Sequence, residues 1–201
     1  MLIIIIIIMK FFYVLLLCLT VILIHNYINL EVNKNVEEYY LNRKDKHFKL
    51  FDMGFRYLPD YSDKLRYVDF IYGVLVTIPV FFLRRGKFIK EYLGYLIIIF
   101  ILRAITISVT VLPKDKSCDL DNRMQLKNNG LCYDKIFSGH TATLFLATLI
   151  YYKNGYINKP VLVILNVINV MILILAREHY TIDIVVAFLV SILVYQNKLI
   201  N

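Results

Sequence analysis

The sequence lacks the usual apparatus of metal and nucleotide chemistry. Its four histidines form no His-Glu-x-x-His spacing, and there is no glycine-rich loop to cradle phosphates. Of its three cysteines, Cys118 and Cys132 lie fourteen residues apart in one polar loop, without the closer pairs a zinc site needs. Neither a metal nor an organic cofactor is therefore expected. A basic tail and a nucleic-acid motif are also missing. The formal net charge of +8 thus reads as membrane topology and contact with anionic lipid, and no nucleic-acid partner is expected. No small-residue cleavage site follows the first apolar stretch, where His25-Asn26-Tyr27 stands instead. A retained signal anchor fits better than a removed signal peptide, with Met1 or Met9 as the start. No internal repeat is visible.

What the chain has in excess is apolar surface. Of 201 residues, 59% are hydrophobic, and the mean hydropathy is +0.63. A bilayer accommodates such a composition better than water does. Six apolar runs can be drawn: Leu2–Ile24, Tyr67–Leu83, Tyr92–Leu112, Ile136–Tyr152, Val161–Ala176 and Ile182–Tyr195. The expected fold is an all-α integral membrane protein of six transmembrane helices. Residues 1–29 would form the signal-anchor helix, 30–66 a polar lumenal segment, and 67–200 a catalytic membrane domain.

Charge orients these spans. The short loops at Arg84-Arg85-Gly86-Lys87 and at Lys153 to Lys159 are basic, which marks the cytoplasmic side. Segments 30–66, 113–135 and 177–181 then face the lumen or the exterior. On that side Cys118 and Cys132 would meet an oxidising compartment, where a disulfide is open to them. Cys18, inside an apolar run, is expected to be packing.

Two motifs fall on that same lumenal face. Ser138-Gly139-His140-Thr141 opens an apolar run, with Ser138 as a good N-cap and His140 in a first helical turn that favours an anion. His179-Tyr180-Thr181-Ile182-Asp183 opens another. His179 and Asp183 are four apart and share a helix face. A carboxylate on one imidazole nitrogen leaves the other free to attack or to take a proton. The blander reading of each motif is a helix cap that happens to hold a histidine. Two imidazoles and a carboxylate at one membrane surface suggest instead phosphoryl transfer between lipids.

Other charges support that idea. Arg103 lies about ten residues from its helix end, too deep to snorkel easily, and its fork suits phosphate. Arg177 is a second phosphate candidate. Asp60, Asp69 and Asp134, with nearby tyrosines such as Tyr180, could receive a cationic head group.

At these residues the chain resembles the sphingomyelin synthase family, a branch of the type 2 phosphatidic acid phosphatase superfamily. The likeness rests on Leu58-Pro59-Asp60, then Arg103-x-Ile105-Thr106-x-x-Val109-Thr110-x-Leu112-Pro113. It continues with Cys132-x-Asp134-x-x-Phe137-Ser138-Gly139-His140-Thr141 and His179-Tyr180-Thr181-Ile182-Asp183-Ile184-Val185-Val186-Ala187. The resemblance implies six spans, a lumenal active site and a triad of His140, His179 and Asp183. The wider superfamily carries Ser-Arg where this chain has Ile172 and Leu173, and proline where it has Phe137. Both differences favour the transferase branch. Tyr133 stands where that branch usually has glycine.

The function expected on this basis is transfer of phosphocholine from phosphatidylcholine to ceramide, releasing diacylglycerol, through a phosphohistidine. Inositol-phosphorylceramide synthase, a phosphatidylcholine–diacylglycerol head-group exchanger and a lipid phosphate phosphatase are the alternatives. Membrane lipids are the expected partners, and a homo-oligomer is compatible with the reading. The expected location is the Golgi, endoplasmic reticulum or plasma membrane.

Overall fold

No glycine or proline precedes Gly54, and the first helix runs on accordingly. The computed structural model describes residues 2–41, 50–64, 72, 86–110, 112–113 and 135–197. Helix α1 spans Leu2–Leu41, 40 residues. It passes straight through the end of its apolar run at Ile24 and into the segment expected to be a polar connection. Lys34, Glu37 and Glu38 are good helix formers, and nothing in the sequence stops the propagation. Short helix α2 (Met53–Tyr57) follows, capped by Asp52, whose carboxylate accepts the Phe55 N–H at 3.0 Å.

Later in the chain, among the described residues, come α3 (Gly86–Val109), α4 (Gly139–Lys153), α5 (Lys159–Leu175) and α6 (Thr181–Gln196). Two of them start at a side-chain cap. Ser138 caps α4, and Asn158 caps α5 with Pro160 in its first turn. Between α4 and α5 the chain turns at Gly155, whose φ of 73° suits glycine. No strand occurs among the described residues. Helix α1 packs along α3, while α4 lies against α3, α5 and α6.

The bundle buries several polar side chains beside its apolar core and leaves many large apolar residues exposed. Asn166, Asn169 and Ser191 are buried, whereas Ile164, Val167, Leu189 and Leu193 are exposed. Asn166 donates to Thr148 Oγ1 at 2.9 Å across the α4–α5 contact. In water the exposed apolar surface would be costly. In hydrocarbon this distribution is the stable one, because polar groups must find partners inside the protein. Helices α1 and α3 contain the stretches Phe12–Val32 and Phe88–Val109, of mean hydropathy 1.9 and 2.1, long and apolar enough to cross a membrane. Only 17% and 28% of these windows are buried, unlike the core helix of a soluble protein.

Of the six expected spans, these two meet the requirement of length and composition among the described residues. Helices α5 and α6 are apolar but have 17 and 16 residues. That is roughly 25 Å of helix against a hydrocarbon core of about 30 Å. Helix α4 has 15 residues and carries three threonines. The run Tyr67–Leu83, apart from Tyr72, lies outside the described residues, as do Cys118 and Cys132. Cys18 is buried among Tyr92, Tyr95 and Ile99 of α3 and their neighbours, in keeping with a packing role.

Gly54 marks where α2 meets α5 and α6. A Cβ there would lie 2.5 Å from Thr181 Oγ1 and 2.9 Å from Ile174 Cγ2. Gly54→Ala is therefore expected to destabilise the fold by about 1–3 kcal/mol through overpacking. A lowered thermal midpoint of the detergent-solubilised protein is the expected result.

Candidate active site

The site begins with how the turn before α4 is held. Phe137 and Ser138 are buried completely, so their backbone groups need partners within the protein. Helix α3 supplies two. Arg103 Nε donates to the Phe137 carbonyl at 2.9 Å, and Thr106 Oγ1 donates to the Ile136 carbonyl at 3.0 Å. Helix α6 supplies another, since Ser138 N–H donates to the Asp183 carbonyl at 3.2 Å. Ser138 Oγ meanwhile accepts the Thr141 N–H at 3.2 Å, so it works as a cap. Gly139 completes the turn. A Cβ at that position would sit 3.4 Å from Arg103 Nε, so glycine lets the guanidinium lie close over the helix start.

This turn brings the two histidines together. The rings of His140 and His179 have centroids 5.7 Å apart and planes at 66°. Tyr72 packs on the other side of His140, 4.5 Å between centroids. His179 Nδ1 lies 3.5 Å from Asp183 Oδ2. That is ion-pair distance, slightly beyond a hydrogen bond. The same Asp183 oxygen accepts the Tyr180 N–H at 3.0 Å. Asp183 thus caps α6 and faces the imidazole with one group. Catalytic hydrogen bonds are often long before substrate arrives and tighten afterwards. His179 Nδ1 and Asp183 Oδ1 are buried with no hydrogen-bond partner among the described residues. A small approach of the two side chains would satisfy the imidazole.

The electrostatics favour a neutral His179. Burial is the main cause of a pKa held well below the ordinary histidine value, and the charges of Lys135, His140 and Arg103 act in the same direction. A hydrogen bond to the Lys135 backbone carbonyl opposes them. An unprotonated imidazole is the form that can attack phosphorus.

Arg177 and Asp60 are brought together with each other. Arg177 adopts a left-handed backbone, φ 58°. Its Nη2 donates to the Leu58 carbonyl at 2.7 Å, its Nε lies 3.8 Å from Asp60 Oδ2, and its guanidinium stands 4.5 Å over the Phe55 ring. These contacts clamp the 55–60 segment beneath the α5–α6 turn. Tyr180 donates its hydroxyl to the Pro113 carbonyl at 3.2 Å and packs against Phe55, which ties α3 to α6. Asp69 and Asp134 lie outside the described residues. Among the described residues no group of three His, Cys, Asp or Glu side chains is placed to hold a metal ion.

Four residues emerge that sequence reasoning did not select. Asp52 accepts the Thr181 N–H at 2.7 Å and the Thr181 hydroxyl at 2.8 Å, so it caps α6 from outside the helix. Tyr72 stands against His140. Lys135, 3% exposed, donates to the Glu178 carbonyl at 2.9 Å. His25, 2% exposed on α1, meets Arg103 Nη1 at 2.9 Å through Nε2. A guanidinium only donates, so His25 accepts as the neutral ring with its proton on Nδ1, which lies 3.3 Å from Asn26 Oδ1. An ionisable residue within an apolar helix was the available signal for His25.

Two outcomes follow from this geometry. His25→Leu removes an acceptor from a buried guanidinium and should cost about 1–3 kcal/mol, read as a lowered thermal midpoint. His25→Gln, which restores a carbonyl acceptor, should recover much of the loss. In a chain labelled at histidine, the His179 ring should stay neutral while an ordinary histidine titrates near pH ~6.5. The charged and titratable neighbours setting this are Lys135 on the turn, Arg103 on α3, His140 on α4 and Asp183 on α6. An NMR titration of the imidazole carbons checks it.

No curated protein matches the chain. Residues 131–199, about a third of the chain, match the family model for the PAP2 superfamily C-terminal domain. This interval contains His140, His179 and Asp183, so the similarity to the PAP2 superfamily, whose members are phosphoryl-transfer and hydrolase enzymes, covers the candidate site.

Proposed function

We propose that this protein is a lipid phosphotransferase that moves phosphocholine from phosphatidylcholine to ceramide, yielding sphingomyelin and diacylglycerol. A lipid phosphatase or phosphotransferase-type activity is what the family match supports. The single observation that carries the transfer mechanism is the pair of imidazoles 5.7 Å apart with a carboxylate behind one of them. A phosphorus atom between the rings has a nucleophile on one side and a proton donor on the other.

The cycle has two displacements. In its attacking form His179 carries its proton on Nδ1, toward Asp183, and its other nitrogen, no longer donating to the Lys135 carbonyl, attacks phosphorus in line. The bond from phosphorus to the diacylglycerol oxygen breaks, and protonated His140 gives that oxygen its proton. A phosphocholine–histidine remains, and His140 is now neutral. The primary hydroxyl of ceramide then attacks phosphorus, His140 takes the hydroxyl proton, and the P–N bond returns its electron pair to His179. Arg103, buried beside the α4 start, offsets charge on the phosphoryl oxygens, as does the helix N-terminus. The differences at Ile172, Leu173 and Phe137 support an alcohol acceptor over water. The orientation that fits the charge of the short loops puts this pocket on the lumenal or exoplasmic face of a multi-pass protein.

Membranes containing the protein, supplied with fluorescent ceramide and phosphatidylcholine, test the proposal. Labelled sphingomyelin is the expected product. Product only with an inositol or other head-group donor would replace choline while keeping the mechanism. Phosphate release from phosphatidic acid without lipid product would make the protein a phosphatase. His179→Ala and His140→Ala should each lower turnover by about 10²–10⁴-fold. Asp183→Asn should lower it less, since an asparagine oxygen still reaches the Tyr180 N–H and only the imidazole's orientation suffers. Retained activity in His179→Ala would remove the phosphohistidine from the mechanism.

A further inference from the structure

Residues 50–64 form a stretch with two unlike sides. The inner side is fastened to the turn that carries His179. Asp52 accepts the Thr181 N–H and hydroxyl, and the Gly54 N–H donates to Thr181 Oγ1 at 3.2 Å. Arg177 holds the Leu58 carbonyl and Asp60, and the Tyr61 N–H donates to the Leu175 carbonyl at 2.9 Å. The outer side is apolar and open. Phe51, Met53, Tyr57 and Tyr61 are 64%, 55%, 70% and 42% exposed. Cations stand over these rings. The Arg56 guanidinium lies 5.5 Å from the Phe51 centroid and 5.9 Å from that of Tyr57, and Lys64 Nζ lies 5.6 Å from that of Tyr61.

We propose that this outer side is a membrane-surface platform. Phe51, Met53, Tyr57 and Tyr61 lie in the phospholipid head-group layer of the leaflet that the histidine site faces, and Arg56 and Lys64 meet lipid phosphates. Three observations select lipid as the occupant. First, the segment is fixed where α5 ends and α6 begins, the level at which apolar helices leave the hydrocarbon. Second, Ile182, Val185 and Leu189 are exposed at helical spacing on α6, starting at the residue after Thr181. The apolar surface of the platform therefore adjoins a face that already suits a bilayer. Third, aromatic rings with cations lying along them are the chemistry that settles where hydrocarbon meets water. The acids Asp52 and Asp60 are engaged with Thr181 and Arg177, while Arg56, Lys64 and Asp63 are exposed. That leaves a net positive rim, complementary to phosphate. Because platform and His179 share one turn, the lipid surface sets the depth of the histidine near the phosphate plane. A phospholipid then reaches it without leaving its leaflet. This consequence rests on the reading of His179 as nucleophile, whereas the platform itself does not.

The chain contains no tryptophan, so a single introduced indole reports its own surroundings. The test uses the full-length protein carrying Tyr57→Trp in phosphatidylcholine nanodiscs. Its emission should lie at shorter wavelength than that of an indole in water. It should lose more intensity to lipid brominated near the ester end of the acyl chains than to lipid brominated near the chain end, and little to iodide. Leu189→Trp, on the exposed face of α6, should show the opposite preference between the two brominated lipids and so mark the hydrocarbon. Phe51→Trp repeats the measurement if Tyr57→Trp does not fold. Arg56→Glu in the Tyr57→Trp chain sets a carboxylate against lipid phosphate and should reduce the quenching by the shallow bromine.

Quenching by iodide but not by bromine would place the segment in water and overturn the proposal. Protection from both quenchers would mean that protein covers it, a second copy or another chain, and would overturn it equally. Unchanged shallow quenching in Arg56→Glu would overturn the phosphate contact. None of these measurements involves turnover. A chain that transfers no head group can still show shallow quenching, and an active chain can fail to show it, so failure of the platform and failure of the proposed activity are separate results.

Discussion

One buried guanidinium ties the bundle to its site. Arg103 reaches from α3 to the carbonyl of Phe137, to the ring of His25 on α1, and across the face of Gly139. A charge in that position cannot be left without partners in an apolar surround. Its contacts therefore fix three things together: the rotation of α1 against α3, the path of the turn into α4, and the depth of His140. Thr106, one turn along α3, repeats the device by holding the Ile136 carbonyl. The turn that carries His140 is thus held by contacts on helix α3, which itself meets α1 through His25.

The second histidine is placed by a different economy. Asp183 has one carboxylate and serves two needs, capping Tyr180 and facing His179. Asp52 takes over the next free amide of α6, that of Thr181. With the helix start satisfied from two directions, the α5–α6 turn is held tightly enough to bury His179 at 4% exposure. Burial then makes the imidazole neutral, which is what its proposed chemistry requires. The clamp of Arg177 on Leu58 and Asp60 belongs to the same arrangement, since it secures the segment that delivers Asp52.

Much of this was legible in the chain. The apolar runs mark the helices, because a run of isoleucine, leucine and valine has few other ways to satisfy its backbone in a bilayer. Ser138 declares itself a cap by preceding such a run, and Pro160 and Gly155 mark the turn between α4 and α5. His179 and Asp183 show their pairing by spacing alone, since four residues bring two side chains onto one helix face. The family likeness points to His140. All of these are local properties, set by torsion, periodicity and hydrogen-bond capacity within a few residues.

What the sequence could not decide is which distant charges meet. Arg177 and Lys135 are both basic and both near a motif, and only packing sends one to Asp60 and the other to Glu178. Asp52 caps the short helix α2 beside it and also caps α6 at Thr181, 129 residues further on. His25 reads as an awkward residue at the end of a signal anchor until α1 lies along α3. The extent of α1 also escaped composition, because the absence of a breaker matters more there than the end of the apolar run. Contacts between separated segments depend on the rotation and depth of whole helices. Those are settled by the sum of many packing contacts rather than by any one residue, which is why local chemistry was determined by the sequence itself and the membership of the site by the tertiary structure.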